Sequence, residues 1–383
     1  MNPSSPDQSQ IRVGIVGGGL MGREMASAFA RWCALDDPDL PTPILAAVAD
    51  PSPAARDWFA RQIPTATLLA GDYRELLAEA AIDVVYVAVP HHLHAEIYLA
   101  VLDAGKDLLA EKPFGIDLEA ARAIVAKGEA TGRFVRVSSE FPFFPGVQEI
   151  VRLASGGEPF FGRILEVSAG FHHASDLDPT KAANWKRQSA TCGAIGVMGD
   201  LGLHVAHLPA RLGWRPSSVY AQLQHGFPER PDGKGGTTAC DTFDNATLHT
   251  WSAASGDAFP MRLEMKRLAP GATNSWWIEI AGTLGSARFS TSRPKSLHTF
   301  RDGEWRTRDL GFTPPVKTIT GGIFEFGFPD AIQQMWAAYL LERAGLLGDR
   351  FGCATPEEAL ASHTLFAAAL ESHNRNTTVR LGP

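Results

Sequence analysis

The stretch that most constrains this chain is its first apolar run and the glycines behind it. Residues 11–25 read IRVGIVGGGLMGREM: a strand pattern over Ile11–Val16 breaks into Gly17-x-Gly19-x-x-Gly22 and continues as a helix pattern over Leu20–Trp32. A strand that turns on glycine straight into a helix is the opening of a dinucleotide-binding βαβ unit. Gly17 permits the tight turn, Gly19 lets a pyrophosphate approach the backbone, and Gly22 lets helix pack on strand. The backbone N–H groups that open the helix, at Leu20 and Met21, then face the phosphates.

The alternation continues. Ile44–Ala49 reads as a strand, and Val84–Val89 (VVYVAV) has the near-continuous apolarity of a strand buried on both faces. His92–Ala104 reads as a helix, Asp107–Ala110 as a strand, Asp117–Thr131 as a helix and Phe134–Val137 as a strand. This order predicts a parallel, doubly wound Rossmann sheet over residues 11–140. Leu35–Pro43, polar and proline-rich, is expected to be a surface loop. Asp50 ends the second strand, where a carboxylate accepts the ribose hydroxyls of NAD. It lies 28 residues past Gly22 instead of about 20, and the inserted loop accounts for the excess. The same side chain could instead only open the DPSP turn and cap the next helix. It would repel a 2′-phosphate and no arginine directly follows it, which favours NAD over NADP.

After Glu140 the texture changes. FPFFPG (Phe141–Gly146) marks a boundary, and strand patterns follow at Arg163–Phe171, Val219–Gln224, Ala246–Trp251, Met261–Lys266, Trp276–Ala281 and Ser286–Ser290. With few helices between them, they predict a mostly antiparallel sheet in an α/β domain over residues 141–383. Glu229–Cys240 is Gly-rich and expected to be a mobile loop. Helix patterns at Ala331–Leu347 and Pro356–Asn374 complete the chain, the last able to pack back on the first domain. The 383 residues fit two domains.

Net charge is −7, and basic residues nowhere interleave with aromatics, so nothing here draws in nucleic acid. Cys33, Cys192, Cys240 and Cys353 are too scattered for a disulfide or CxxC framework. Residues 1–10 form a polar tail without signal-peptide character, and no apolar run reaches the ~18 residues of a membrane helix. The expectation is a disordered tail followed by a soluble cytoplasmic protein with no membrane partner.

Residues 84–115, VVYVAVPHHLHAEIYLAVLDAGKDLLAEKPFG, resemble the glucose-fructose oxidoreductase/inositol dehydrogenase/MocA family of dehydrogenases. The resemblance lies in the VAVP strand end, His94, the DAGK turn and the Glu111-Lys112-Pro113 triplet. GVMGDLGLHVAHLPARLG (Gly196–Gly213) and WWIEIAGTLGSARF (Trp276–Phe289) resemble the same family, so the likeness spans nearly the whole chain. It implies NAD(P)-dependent oxidation of secondary alcohols of sugars or cyclitols, or the reverse reduction, in a homodimer or homotetramer. It also implies that Val89, Pro90, His91, His94 and Glu111 surround the cofactor, and that Lys112, Asp200 and His204 are catalytic.

The residues support those roles. Lys112 follows a strand at the carboxyl edge of the sheet, beside the ligand crevice, where an ammonium can stabilise a developing oxyanion. Asp200 and His204 are four apart and share a helix face. His204 can take the hydroxyl proton, with the nearby carboxylate orienting it or raising its basicity. His172, Trp185 and Lys186 are candidate substrate contacts. His91, His92 and His94 crowd one turn, but no carboxylate or cysteine completes a metal spacing, so no metal is expected. Phe141, Phe143, Phe144, Trp276 and Trp277 read as packing or subunit interface. Two competing functions remain: a dinucleotide sensor or regulator without turnover, and redox-assisted glycoside cleavage.

Overall fold

Runs that alternate between β-branched and alanine-rich segments give the first sheet of the computed structural model, which describes residues 10–156, 159–254, 257–311 and 314–382. Its strands are β1 (Gln10–Val16), β2 (Thr42–Ala49), β3 (Leu68–Ala70), β4 (Val84–Val87), β5 (Asp107–Ala110) and β6 (Val135–Val137). They are parallel, in the order β3-β2-β1-β4-β5-β6. Strand order reverses between β1 and β4, which opens a crevice at their carboxyl ends. Val84, Val85, Tyr86 and Val87 are fully buried, as the apolar run predicts.

Helices α1 (Leu20–Ala30), α2 (Pro53–Gln62), α3 (Tyr73–Ala78), α4 (His94–Asp103) and α5 (Leu118–Thr131) cover this sheet. Local chemistry sets their ends. Ser52 caps α2 with Pro53 at its first position, and Asp117 caps α5. The expected tail lies outside the described residues except for Gln10, which opens β1.

The second half opens with α6 (Pro145–Ser155) and β7 (Ile164–His172), followed by α7 (Ser189–Cys192), α8 (Val197–Arg211) and β8 (Pro216–Gln224). Then come β9 (Glu229–Pro231), β10 (Thr237–Ala239), β11 (Asn245–Ala254), β12 (Asp257–Lys266), β13 (Ser275–Gly282), β14 (Gly285–Ser290), β15 (Ser296–Arg301) and β16 (Glu304–Asp309). The chain closes on α9 (Phe328–Arg343), α10 (Pro356–Arg375) and β17 (Val379–Arg380). Among the described residues, nine strands form one sheet, β16-β15-β14-β13-β7-β12-β11-β8-β17; β7 and β12 pair in parallel and the other neighbours antiparallel.

One face of this sheet carries Val167, Ala169, Phe171, Met261, Leu263, Met265, Trp276 and Ile278, all buried, and α8 packs on it. In turn α8 is sandwiched by α10; a side chain at Gly202 would put its Cβ 2.2 Å from the Phe366 ring. The opposite face is open, with Trp251 and Trp305 each about half exposed (52% and 49%).

One loop expectation changes. Glu229–Cys240 carries the β9–β10 hairpin. Its Arg230 is buried and donates to the carbonyl oxygens of Asp176 and Asp178, which fixes the segment. Leu35–Pro43 lies at the surface as expected, with Asp36, Pro38, Asp39 and Thr42 exposed, and is also anchored: Leu35 bridges to Thr318, Asp37 pairs with Arg350 at 2.7 Å, and β2 already starts at Thr42. The end of the chain also joins the first sheet. The α9 helix packs on α1, where Phe29 and Trp336 meet edge-on at 4.7 Å, α10 packs on α5, and Val137 at the sheet edge donates to the Ala354 carbonyl.

Candidate active site

The glycine turn after β1 is built as its sequence implies. Gly17 sits at φ +101°, and a Cβ there would lie 2.2 Å from the Ala88 carbonyl oxygen. A Cβ on Gly22 would lie 2.1 Å from the Gly17 carbonyl oxygen, so the third glycine sits behind the turn as a packing contact. Among the described residues nothing lies within 4 Å of a Cβ at Gly19, which faces the crevice. Gly19 caps α1 without a side-chain bond, and the first turn carries no acid. The first N–H groups of α1 are therefore free for an anion.

A cavity of about 860 Å³ runs from this turn along the switch point. Gly17, Gly19, Leu20, Met21, Asp50, Val89, Pro90, His91 and Glu111 line it, together with Lys112, Trp185, Lys186 and Asp200. At its far end, Asp50 accepts the Gly18 N–H at 2.7 Å and the Ser52 N–H at 2.8 Å. It therefore holds the glycine turn and opens the DPSP turn together, and both oxygens keep a lone pair for a diol. Arg74, in the first turn of α3, lines the same cavity, missed because it comes from a separate element, but its guanidinium is paired with Asp72 and Glu96. Length, exposed α1 N–H groups and the Asp50 end fit a dinucleotide.

His94 does not line this cavity. It is fully buried, with Nδ1 2.8 Å from the Pro113 carbonyl and Nε2 2.9 Å from that of Val89. It ties two cofactor loops together instead of touching a ligand. Burial pushes its pKa down to about 4, so the neutral ring donates to one of the two carbonyls only. His91 does reach the cavity; it contacts the Cys192 carbonyl at 2.9 Å and meets Trp185 edge-on at 4.6 Å. Among the described residues, no three of these side chains form a metal-ligand cluster.

A second cleft of about 770 Å³ continues from the first through Leu20, Met21, Glu111, Lys112, Lys186 and Asp200, which line both. Its walls divide by chemistry. Phe141, Phe144, Phe171, Phe326 and Phe328 form an apolar side; Glu140, His173, Asp176, Asn184, Arg187, His204 and Asn274 supply donors and acceptors.

Lys112, Asp200 and His204 meet here. Asp200 and His204 lie one turn apart on α8, which is capped by Gly196. The Lys112 ammonium donates to the Asp200 carbonyl at 2.8 Å and to its carboxylate at 3.2 Å. Lys186 donates to the same carboxylate at 2.9 Å and Arg267 at 3.2 Å. Burial pushes the Asp200 pKa up, but Lys186, Lys112 and Arg267 together hold it well below the usual carboxylate range. Burial pushes the Lys112 pKa down, and Asp200, Glu111 and Glu140 more than restore it. The Lys186 pKa ends lowered by burial, with the positive charges of Lys112 and Arg267 adding to the fall.

His204 is buried beside Phe141 and Phe171, with ring centroids 5.0 and 5.6 Å away. Burial, then Lys112, holds its pKa well below the ordinary value, so the ring is neutral. Asp200 does not orient this histidine, because its carboxylate is spent on three cations, but its charge still raises the His204 pKa against burial and Lys112. The carboxylate facing the His204 Nδ1 belongs to Glu140, 3.8 Å away.

His172 also needs correction. It points to the open face of the sheet, where it pairs with Glu264 at 3.0 Å and packs edge-on to Trp277. His173 lines the cleft instead. Strand parity carried that signal: Val167, Ala169 and Phe171 face inward, so the next inward position is 173. Parity also marks Arg267, which continues the inward face of Met261, Leu263 and Met265; a cation there requires an anion.

The family model for NAD-binding Rossmann-fold oxidoreductases (GFO_IDH_MocA) matches residues 11–139, and the model for the family's C-terminal domain matches residues 147–288. A levoglucosan dehydrogenase from Pseudarthrobacter phenanthrenivorans is 28% identical over 299 residues, 75% of this chain and 75% of that protein. A mouse trans-1,2-dihydrobenzene-1,2-diol dehydrogenase is 28% identical over 196 residues, 51% of this chain and 54% of its own length. A solved levoglucosan dehydrogenase in complex with NADH and levoglucosan has a TM-score of 0.86 at 25% identity, covering 97% of this chain and 99% of that one. The two matched domains, the dinucleotide crevice and the EKP lysine beside it agree: the chain belongs to the glucose-fructose oxidoreductase/inositol dehydrogenase/MocA family, as an NAD-binding oxidoreductase that transfers hydride at CH–OH carbons.

Proposed function

We propose that this enzyme oxidises a secondary alcohol of a sugar or cyclitol, or runs the reverse reduction, with NAD as its preferred cofactor and Lys112, Asp200 and His204 as its chemical centre. One observation carries the reading: these three side chains meet where the dinucleotide crevice opens into a cleft with an aromatic wall and a polar floor. Such a cleft suits a polyol, which presents C–H faces to aromatic rings and hydroxyls to donors and acceptors. A relative that acts on levoglucosan supports the same substrate class.

Bound NAD supplies the hydride acceptor. Lys112 keeps its charge, and among the described residues its ammonium donates to Asp200 alone, leaving donor capacity for the reacting oxygen. Asp200 positions that ammonium. His204 is neutral and takes the hydroxyl proton in the oxidative direction. Trp185 and Lys186 close the junction between the cavities and contact substrate or nicotinamide. Asp50 holds the adenosine ribose and disfavours a 2′-phosphate.

The protein assembles as a homo-oligomer through the open face of the nine-stranded sheet, where Trp251, Trp277 and Trp305 sit among charged neighbours. Four unpaired cysteines fit a cytoplasmic setting. The test is NADH absorbance with levoglucosan and myo-inositol. His204→Ala and Lys112→Ala should each lower kcat by ~10²–10⁴ and leave NAD affinity within a few-fold. Near-normal turnover in both variants overturns the assignment.

A further inference from the structure

Glu140 is a buried carboxyl that neither the glycine turn nor the Lys112–Asp200 pair accounts for. It follows β6 and lines the substrate cleft while only 5% exposed. Its Oε2 faces the His204 Nδ1 across 3.8 Å, and that nitrogen is buried with no hydrogen-bond partner among the described residues. Asp200, the carboxylate one turn away on α8, is engaged by Lys112, Lys186 and Arg267 and cannot serve it.

We propose that Glu140 and His204 form a proton relay in which Glu140, and not the imidazole, is the final resting place of the substrate proton. The inference rests on His204 as the group that meets the substrate hydroxyl. In oxidation the relay starts with a Glu140 carboxylate facing Nδ1–H and a bare Nε2. As hydride leaves the carbinol carbon for NAD, the O–H bond breaks and Nε2 takes the proton. Nδ1 passes its own proton to Glu140. The carbonyl product, reduced cofactor, neutral imidazole with Nε2–H and a protonated Glu140 remain, so charge and protons balance. Reduction runs the same transfers backwards.

The surroundings explain why two groups are needed. The groups facing the pair are Glu111 and Lys112 beyond β5, Tyr86 on β4, Asp200 and His207 on α8, and Lys186. Burial and then Lys112 disfavour an imidazolium at His204. Burial and then Glu111 push the Glu140 carboxyl up to about 7. A proton that crosses the ring therefore ends on a group able to keep it near neutral pH, and no charged imidazole has to persist. A small side-chain rotation closes the 3.8 Å gap; such contacts are often long before substrate binds.

The test begins without substrate. In the NAD-bound protein labelled with ¹⁵N-histidine, the His204 signals are those missing from His204→Asn. They should switch from the Nε2–H to the Nδ1–H tautomer in one step centred near pH 7. That step should vanish in Glu140→Gln and persist, shifted, in Glu140→Asp. No step in the wild type, or an unchanged step in Glu140→Gln, overturns the relay.

With levoglucosan, oxidation by the wild type should rise with pH through about 7 as Glu140 ionises. Glu140→Gln should lose that limb and about 10- to 100-fold in kcat, with KM and NAD affinity within a few-fold. If His204→Asn abolishes turnover while Glu140→Gln keeps both rate and limb, the relay alone is wrong. If His204→Asn also turns over normally, the underlying assignment of His204 fails.

Discussion

Asp200→Asn should destabilise the protein, because the amide keeps the shape of the carboxylate but removes the anion that three cations share and turns one of its two acceptor oxygens into a donor. The largest part comes from Arg267, whose side chain is 0% exposed against 3% for Asp200. Breaking such a buried pair from one side costs about 3–5 kcal/mol, since the remaining charge stays out of water. Lys112 is 17% and Lys186 34% exposed, so both can turn toward the wet cleft and add little. For 383 residues unfolding as one unit at ~2.1 cal/mol/K each, the loss corresponds to a Tm lower by about 4–6 °C.

Differential scanning fluorimetry measures this directly. Because the Asp200 pKa is depressed in the folded protein, its contribution is complete above the unfolded value near ~3.9 and fades as pH falls through the folded value. The gap between wild type and variant should thus stay constant from about pH 5 to 8. The variant, now holding unpaired cations, should recover stability with millimolar acetate while the wild type does not. A Tm within about 1 °C of wild type, with no response to acetate, would refute the reasoning.

The remaining expectations concern cofactor choice and assembly. Asp50→Ala should weaken NAD much more than NADP in a fluorescence titration; equal losses, or a wild type that prefers NADP, remove the ribose assignment. Light scattering should give a mass well above the 41.2 kDa of one chain, and Trp305→Glu on the open face should lower it; a monomer at micromolar concentration counts against that interface.

Much of the site is legible in the order of residues. The glycine turn, Asp50, Lys112 and Asp200 each sit at the end of an element whose period can be read, and their neighbours in sequence fix their surroundings. His94 departs from its expected place because one turn of histidines gives no sign of which ring points into a ligand cavity and which bonds two carbonyls. His172 misses the cleft by one residue, although the inward parity of Phe171 points to His173. The carboxylate partner of His204 is hidden for a deeper reason. Asp200 is its neighbour by helix spacing, but Arg267 arrives from the end of β12 and captures that carboxylate, while Glu140 arrives from beyond β6. Both are tertiary placements with no local period behind them.

The end of the chain has a consequence for how the protein is made. Trp336 on α9 fills the space beside Phe29 and Tyr86, and Ala354 caps the outer strand of the first sheet through Val137. The dinucleotide half is therefore unfinished while the ribosome is still translating the second half. Until residues past 354 emerge, the nascent chain exposes the α1 face and a bare strand edge, both prone to illicit pairing. A chain cut at residue 140 would keep that α1 face and strand edge bare.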